Sequence, residues 1–463
     1  MWKSDYRTTP MRRYYLPLLC CALSACAGYQ AKPLPAASSL QDQIPHLVVD
    51  ARSLPFPELA AHPFEPSDGL DMTELATLAV LNNPELKIAR DDAGIARAQA
   101  FSAGLLPDPQ LALSRDLSNS AGPGSTKAFS YGLSYDIGAL ISHSATSSAA
   151  KSEAKKTDLN LLWQEWQVVS QARLLYIKLM QGQKSRVILE ENRAMFADRL
   201  RRTQLALEKG LLTNDVVTPN LTALQDVQKQ LDDLERQTNQ NRHELNALLG
   251  LKPEVPVPLQ DSTMPAALDD AAVLAALAGL PHRRPDLLAL EAGYQAQDQR
   301  YRAALLAQFP ALNIGLTHAR DSSGIYSNGV GLTLTLPILN RNRGNIAIEQ
   351  ATRQKLYDEY QQRLNTANSD IHKILADQRI NIRQLQDMQA GISQLAAAAK
   401  QTEQAFRQKN VDALNYANVH ATLLAKRIEE LNLQQAILEQ RVSLQTLIGG
   451  DLPVATSYES GNP

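Results

Sequence analysis

The chain has 463 residues, with 46 basic and 48 acidic side chains and a formal net charge of −2, so overall charge gives it no pull toward nucleic acid. Aromatic residues make up 5% and hydrophobic residues 44%. Abundant Ala, Leu and Gln favour long helices over a compact aromatic core, and the absence of any run of about 18 apolar residues excludes a transmembrane helix, so a membrane span must be a β-barrel.

Residues 1–25 read as a targeting segment: Lys3, Arg7, Arg12 and Arg13 precede an apolar run from Leu16 to Ala25. Leu23-Ser24-Ala25-Cys26 resembles the lipobox of bacterial lipoproteins. That resemblance implies cleavage before Cys26 and lipidation of its thiol, and Ala27 at the next position implies sorting to the outer membrane. An ordinary signal peptide with a chance Cys is the alternative. Cys20 and Cys21 lie inside the signal, so the mature chain has neither a disulfide framework nor a thiolate metal site.

Residues 26–70 are rich in Pro, Ala and Ser and read as a lipidated, extended arm. A second Pro-rich stretch, 251–270, is a linker between two similar halves, 71–250 and 271–450, followed by a tail, 451–463. Asn83-Pro84-Glu85-Leu86 matches Arg284-Pro285-Asp286-Leu287, Pro109-Gln110-Leu111 matches Pro310-Ala311-Leu312, Gly132-Leu133-Ser134 matches Gly331-Leu332-Thr333, and Leu248-Leu249-Gly250 matches Leu447-Ile448-Gly449. Four landmarks in one order at nearly one offset point to internal duplication.

Each half opens with a helical segment, about 73–104 and 285–307, the first broken by Pro84. Two alternating segments follow in each: strands are expected at about 110–118 and 127–138, then at about 310–319 and 328–339. Phe129, Tyr131, Leu133, Tyr135 and Ile137 fall on one face, as do Val330, Leu332, Leu334, Leu336 and Ile338. The opposite positions are small or polar. A soluble half-buried hairpin shows the same alternation, but a lipoprotein signal and a wholly small or polar second face favour a lipid-facing barrel wall.

Four strands cannot close, and open edges are intolerable in lipid. The barrel is therefore shared between chains. Two copies give a cylinder filled by its own side chains, whereas three give 12 strands and room for a wet lumen.

The strands lead into long helices, at about 145–208 and 214–249, then 345–408 and 412–448. Each of the longer pair spans roughly 95 Å. Leu224, Val227, Leu231, Leu234, Leu245 and Leu248 keep three- and four-residue steps, as do Leu424, Ile428, Leu431, Leu438 and Val442, which is coiled-coil spacing. At the reversals, Gly210 suits a left-handed cap with Thr213 or Asn214 starting the next helix, and Asn410 is expected in the left-handed position of the second turn.

These features together resemble the TolC-type outer-membrane efflux channels, including the lipoprotein members that serve pumps of the resistance-nodulation-division type. The resemblance covers about residues 70–450 and rests on the duplicated plan, on Asn83-Pro84-Glu85-Leu86, on Gly104-Leu105-Leu106-Pro107-Asp108-Pro109, and on the Gly210–Val217 turn. It implies a mainly α chain with a small β part, a homotrimer with a 12-stranded barrel continuous with a helical coiled-coil barrel, and partners in a periplasmic adaptor, an inner-membrane pump and outer-membrane lipid. Adaptor contact would fall on Gly210, Leu211, Leu212, Thr213 and Asp215, and on Asn410, Val411, Asp412 and Leu414. The stretch from Gly104 to Leu111 resembles the branch that exports heavy-metal ions. The chain departs from members that carry acidic residues just past the second turn, because Asn415-Tyr416-Ala417-Asn418-Val419 has none. Asp215 and Asp412 also suit plain helix-start roles.

Other motifs carry little. His243-Glu244 lacks the second His of a zinc-protease helix, and Ser148-Ala149-Ala150-Lys151 has no companion motif. Histidines and methionines are scattered, so no cofactor, resident metal or catalysis is expected. Trp163 and Trp166 suit either a membrane boundary or helix packing. The expected function is passive conduction in a tripartite efflux pump, with drugs or heavy-metal cations as cargo. The rival is a periplasmic coiled-coil lipoprotein scaffold without a pore.

Overall fold

The computed structural model describes residues 29–45, 56–116, 126–261 and 269–449. Cys26 and the signal, the whole of the expected loop at 118–125 and the tail lie outside the described residues. Two units divide the chain at Leu40. In the first, residues 29–40 lack helix and strand, and the Ser38 hydroxyl accepts the Leu40 N–H at 3.3 Å. The second unit runs from Gln41 onward and holds every helix and strand described.

A short helix α1 (Pro57–Ala61) interrupts the expected extended arm, and the adjoining Phe56 is 1% exposed. Proline at a first helical position has no N–H to leave unpaired, so Pro57 starts a helix readily. Helix α2 (Met72–Asn82) begins with a capping box: Asp71 accepts the N–H groups of Thr73 and Glu74, and Glu74 accepts that of Asp71. Pro84 ends α2 and opens α3 (Pro84–Gly104), whose first turn is capped by the Asn83 side chain.

Strands β1 (Gln110–Asp116) and β2 (Ala128–Asp136) come next, then helix α4 (Ile137–Glu208), 72 residues or about 108 Å of rise. Helix α5 (Asn214–Leu248) returns along it. After the linker come α6 (Asp270–Leu277), α7 (Leu280–Arg283) and α8 (Pro285–Leu306). Strands β3 (Ala311–Arg320) and β4 (Tyr326–Thr335) lead to α9 (Arg343–Arg407) and α10 (Ala413–Ile448). The chain is mainly helical with one small sheet. No described helix is long and apolar enough to cross a membrane.

Helix α4 packs against α2, α3, α5, α8 and α10. The main core gathers Leu75, Leu78, Leu162, Trp166, Tyr176 and Ile177 around its middle. A second core joins α6 to α10 through Val273, Leu287, Ile371, Leu375 and Leu444. The linker is pinned here: Leu251 bridges Gln41, Leu259 bridges Leu70, and the Asn246 amide donates to the carbonyls of Lys252, Pro253 and Val255 at 2.9–3.0 Å. Val227, Leu245 and Leu248 of the expected seam are buried, while Leu224, Leu231 and Leu234 are half-buried.

Both tryptophans take the packing role. Trp166 is 1% exposed within the main core, and the Arg284 guanidinium lies 5.1 Å from the Trp163 ring. Gly449 caps α10 at φ +65°, where an added Cβ would stand 2.8 Å from the Trp166 ring.

Candidate functional site

The four strands form one antiparallel sheet in the order β1-β2-β3-β4, so β1 and β4 are its edges. Its register places residues far apart in sequence side by side. Leu111, Leu133, Leu316 and Val330 form one cross-strand row, and Tyr135, Ile314 and Leu332 another. Strand alternation puts both rows on one face. Val330 is 80% exposed, and Leu111, Leu316 and Leu332 are exposed as well. Large apolar residues left uncovered over these two rows are a contiguous patch, which marks a surface made for a partner or for lipid.

The other face is built from small and polar side chains. Ser134, Gly315 and Gly331 share one row, while Ala112, Gly132, Thr317 and Gly329 share the next. A Cβ on Gly132 would come within 3.0 Å of the Thr317 methyl carbon.

Of the residues expected on the greasy face, Phe129, Tyr131, Leu133 and Tyr135 lie on β2, and Val330, Leu332 and Leu334 on β4. Two are corrected. Ile137 begins α4, because the Asp136 carboxylate accepts the Ala139 N–H at 3.0 Å and starts the helix well before the expected residue 145. Leu336 follows the end of β4 at Thr335, next to Pro337, which has no N–H for a ladder. Residues 326 and 327, expected in a loop, begin β4 instead.

Sequence reasoning missed the cluster at the loop end of this face. Phe129 stacks on Tyr131 with centroids 6.1 Å apart, Tyr131 meets His318 at 4.9 Å, and His318 meets Tyr326 at 5.9 Å. The alternation of aromatic residues was visible, but the pairing that joins β2 to β3 and β4 was not.

The helical turns close by backbone bonds. Gly210 has φ +67°, and Leu211 N–H donates to Ala206 O at 2.8 Å. Asn410 N–H donates to Ala405 O, also at 2.8 Å. The left-handed residue of the second turn is Lys409, at φ +63°, not Asn410. One residue separates the two expectations because the helix ends at Arg407, a residue sooner than its composition suggests. Thr213 is the cap residue of α5 and its hydroxyl donates to the Asp215 carboxylate. Asp412 caps α10 by accepting the Asn415 N–H at 2.7 Å. Leu211 and Leu414 are exposed, while Val411 and Leu212 are half-buried.

Just inside the turns, the Arg199 guanidinium of α4 donates to Asn418 of α10 at 2.9 Å, so the two hairpins are tied near their ends. Burial pulls the Arg199 guanidinium down from its ordinary range. Phe406 stacks on Tyr416 at 4.9 Å, and Tyr416 meets His420 at 4.6 Å. Burial, then the nearby Glu403, pushes the Tyr416 phenol up. Among the described residues no group of three or more His, Cys, Asp or Glu side chains gathers as a metal site. His243 and Glu244 point to solvent on α5, and Ser148 and Lys151 are exposed within α4.

Residues 280–450 match the sequence profile of the family described as outer membrane efflux protein. The chain is 25% identical over 202 residues to the cation efflux system protein CusC of Escherichia coli (strain K12), covering 42% of each protein. It is 24% identical over 178 residues to the probable outer membrane lipoprotein SilC of Salmonella typhimurium, covering 36% of this chain and 39% of that one. The matched stretch thus spans less than half the length of either relative. The fold is similar to the solved outer-membrane channel OprN, with a TM-score of 0.70 at 17% identity, over 91% of this chain and 98% of that one.

Proposed function

We propose that this chain, whose residues 280–450 belong to the outer membrane efflux protein family, is one of three identical subunits of an outer-membrane channel in a tripartite efflux pump. One observation carries the reading: a sheet with two open edges has an uncovered apolar face and a small, polar opposite face. In the order β1-β2-β3-β4 every neighbour is antiparallel, so β4 of one copy meets β1 of the next in the same sense and the ring closes without a parallel pair. Three copies supply 12 strands, enough for a water-filled lumen lined by Ser, Thr, Gly and Ala.

The two halves of the chain derive from a duplication, and the long helices of three copies continue the wall as a coiled-coil tube into the periplasm. Cys26 carries the lipid anchor, which needs the barrel's help to hold firmly. The turns at Gly210–Asp215 and Asn410–Leu414 meet a periplasmic adaptor, which binds the open arrangement of the tips more tightly than the closed one and so shifts their equilibrium. Energy comes from an inner-membrane pump, and this chain conducts passively without catalysing a reaction. Its cargo belongs to the class of heavy-metal cations or drugs, the former favoured by the likeness to a cation efflux protein.

Single-channel recording in planar bilayers tests the proposal. Purified protein gives discrete conductance steps as a detergent-resistant trimer. A monomer in buffer that forms no pore, with or without adaptor, would support the scaffold reading instead.

A further inference from the structure

The uncovered face of the sheet changes character along its length. At the helix end its rows are uncharged and, apart from Tyr135, aliphatic: Leu312 with Leu334, then Tyr135 with Ile314 and Leu332, then Leu111 with Leu133, Leu316 and Val330. The next row is Leu113, Tyr131, His318 and Asn328, and the last is Arg115, Phe129, Arg320 and Tyr326. Successive rows on one face are about 7 Å apart, so the face turns from mostly aliphatic to clustered rings and then to guanidiniums within two steps.

The last two rows are organised as a unit. His318 and Asn328 are joined by a hydrogen bond of 2.5 Å between Nδ1 and Oδ1. Phe129, Tyr131, His318 and Tyr326 make one ring cluster, and the Arg320 guanidinium lies 5.4 Å from the Tyr326 ring. Arg115 and Arg320 flank Phe129 on the same face, two strand spacings or roughly 10 Å apart.

Both cations lack an acidic partner among the described residues. Asp116 adjoins Arg115 but falls on the opposite face by strand alternation. Asp321 adjoins Arg320 but turns into its own loop, where it accepts the N–H groups of Ser323 and Ile325 at 2.8 and 2.9 Å. Arg320 Nε is enclosed with no acceptor. An unpaired guanidinium beside a hydrocarbon-facing surface is costly, and its fork of donors matches phosphate oxygens.

We propose that Arg115 and Arg320, set apart by Phe129, form a docking site for the anionic, phosphate-bearing headgroups of lipids in the leaflet farther from the helices. The inference rests on the barrel reading, which puts this face against lipid. The aromatic cluster fixes the depth of the barrel, as rings do at a membrane boundary. The two guanidiniums then hold headgroup phosphates just beyond the hydrocarbon, and three copies repeat the site around the barrel. The charge is the selective element, because aromatic rings alone do not distinguish an anionic from a zwitterionic headgroup.

Full-length trimer is reconstituted into vesicles of phosphatidylcholine alone or mixed with phosphatidylglycerol. Lipid retained by the protein is read by native mass spectrometry, and conductance is recorded from the same preparations. Wild type retains phosphatidylglycerol over phosphatidylcholine by about tenfold, because the choline cation of the zwitterionic headgroup is repelled by the guanidiniums that hold its phosphate. The Arg115→Gln/Arg320→Gln variant falls to within about twofold of no preference while conducting normally, and the Lys/Lys variant recovers part of the preference. If the double Gln variant does not assemble, Arg115→Gln alone shows a loss of about threefold. Equal retention of both lipids by wild type, an unchanged preference in the Gln variants, or release of the lipid by inorganic phosphate at matched concentration overturns the site but leaves the channel standing. Wild type that neither inserts nor conducts overturns both.

Discussion

Lys409 holds φ at +63° where Gly210, 199 positions earlier, holds +67°, and each residue sits one before the N–H that closes its turn onto Ala405 or Ala206. The two turns are one backbone shape made with different residues. Only glycine adopts that shape without a steric penalty, because a Cβ in the left-handed region crowds the following carbonyl.

The pair therefore responds oppositely to substitution. Lys409→Gly relieves a backbone penalty of about 1 kcal/mol and slows hydrogen exchange of the Asn410 amide, while Gly210→Ala costs about 1 kcal/mol and speeds exchange at Leu211. Exchange measured by mass spectrometry reads both. Faster exchange in Lys409→Gly would contradict the assignment.

Two residues on the same edge strand test the two faces of the sheet. Val330→Arg places a cation on the apolar face, at a cost of about 2–4 kcal/mol if that face meets the middle of a bilayer, and outer-membrane assembly is lost. Thr333→Arg, on the small polar face, assembles normally and shifts ion selectivity toward anions. Fractionation and reversal potentials separate the outcomes, and normal assembly of Val330→Arg would count against the lipid-facing assignment.

Where α2 meets α3 and α7 meets α8, equivalent positions of the two halves are held by different chemistry. Asn83 accepts Leu86 N–H and donates to Leu248 O, both at 2.9 Å. Arg284, at the matching place, pairs with Asp286 at 2.7 Å in a buried setting, with Arg363 3.3 Å from the same carboxylate. Asn83→Ala lowers stability by about 2 kcal/mol through a lost cap and an orphaned carbonyl. Arg284→Ala lowers it by about 3 kcal/mol, since the buried Asp286 carboxylate is left with only the half-exposed Arg363. Urea unfolding of the detergent-solubilised protein measures both, and a change below about 0.5 kcal/mol in each would remove the argument.

The contact of α4 with α8 is acid-sensitive through Glu153. Burial pushes its carboxyl upward, but Lys156 at 2.9 Å and Arg300 at 3.0 Å outweigh that and hold it below its ordinary value of 4.5. A depressed folded value makes the stabilisation complete above the unfolded value and removes it as pH falls through the folded one. Glu153→Gln therefore destabilises at neutral pH by about 0.5 kcal/mol, after solvent screening, and by progressively less as pH falls through the folded value. Melting temperatures of wild type and variant converge in acid. A gap that stays constant with pH would exclude the ion pair as its source.

Much of the site was legible from local patterns. The alternation from Phe129 to Tyr135 follows from the two-residue period of a strand, and it survives whatever the strand pairs with. Gly210 announced its turn for the same local reason. Lys409 did not, because its conformation is imposed by closure between Ala405 and Asn410 and opposes its own preference. Ile137 was misplaced because the choice between a last strand residue and a first helix residue was made by the Asp136 side chain.

The amino-acid order by itself determined the kinds of element, their succession, the apolar and small faces of the strands and the long helical spacing, since each depends on residues within a few positions of one another. Only the tertiary structure decided the register that seats Arg320 beside Phe129, the bond from Asn83 to Leu248 and the tie between Arg199 and Asn418. Such contacts join segments far apart in the chain, and their selection depends on the packing of whole elements, whose energy no local period encodes.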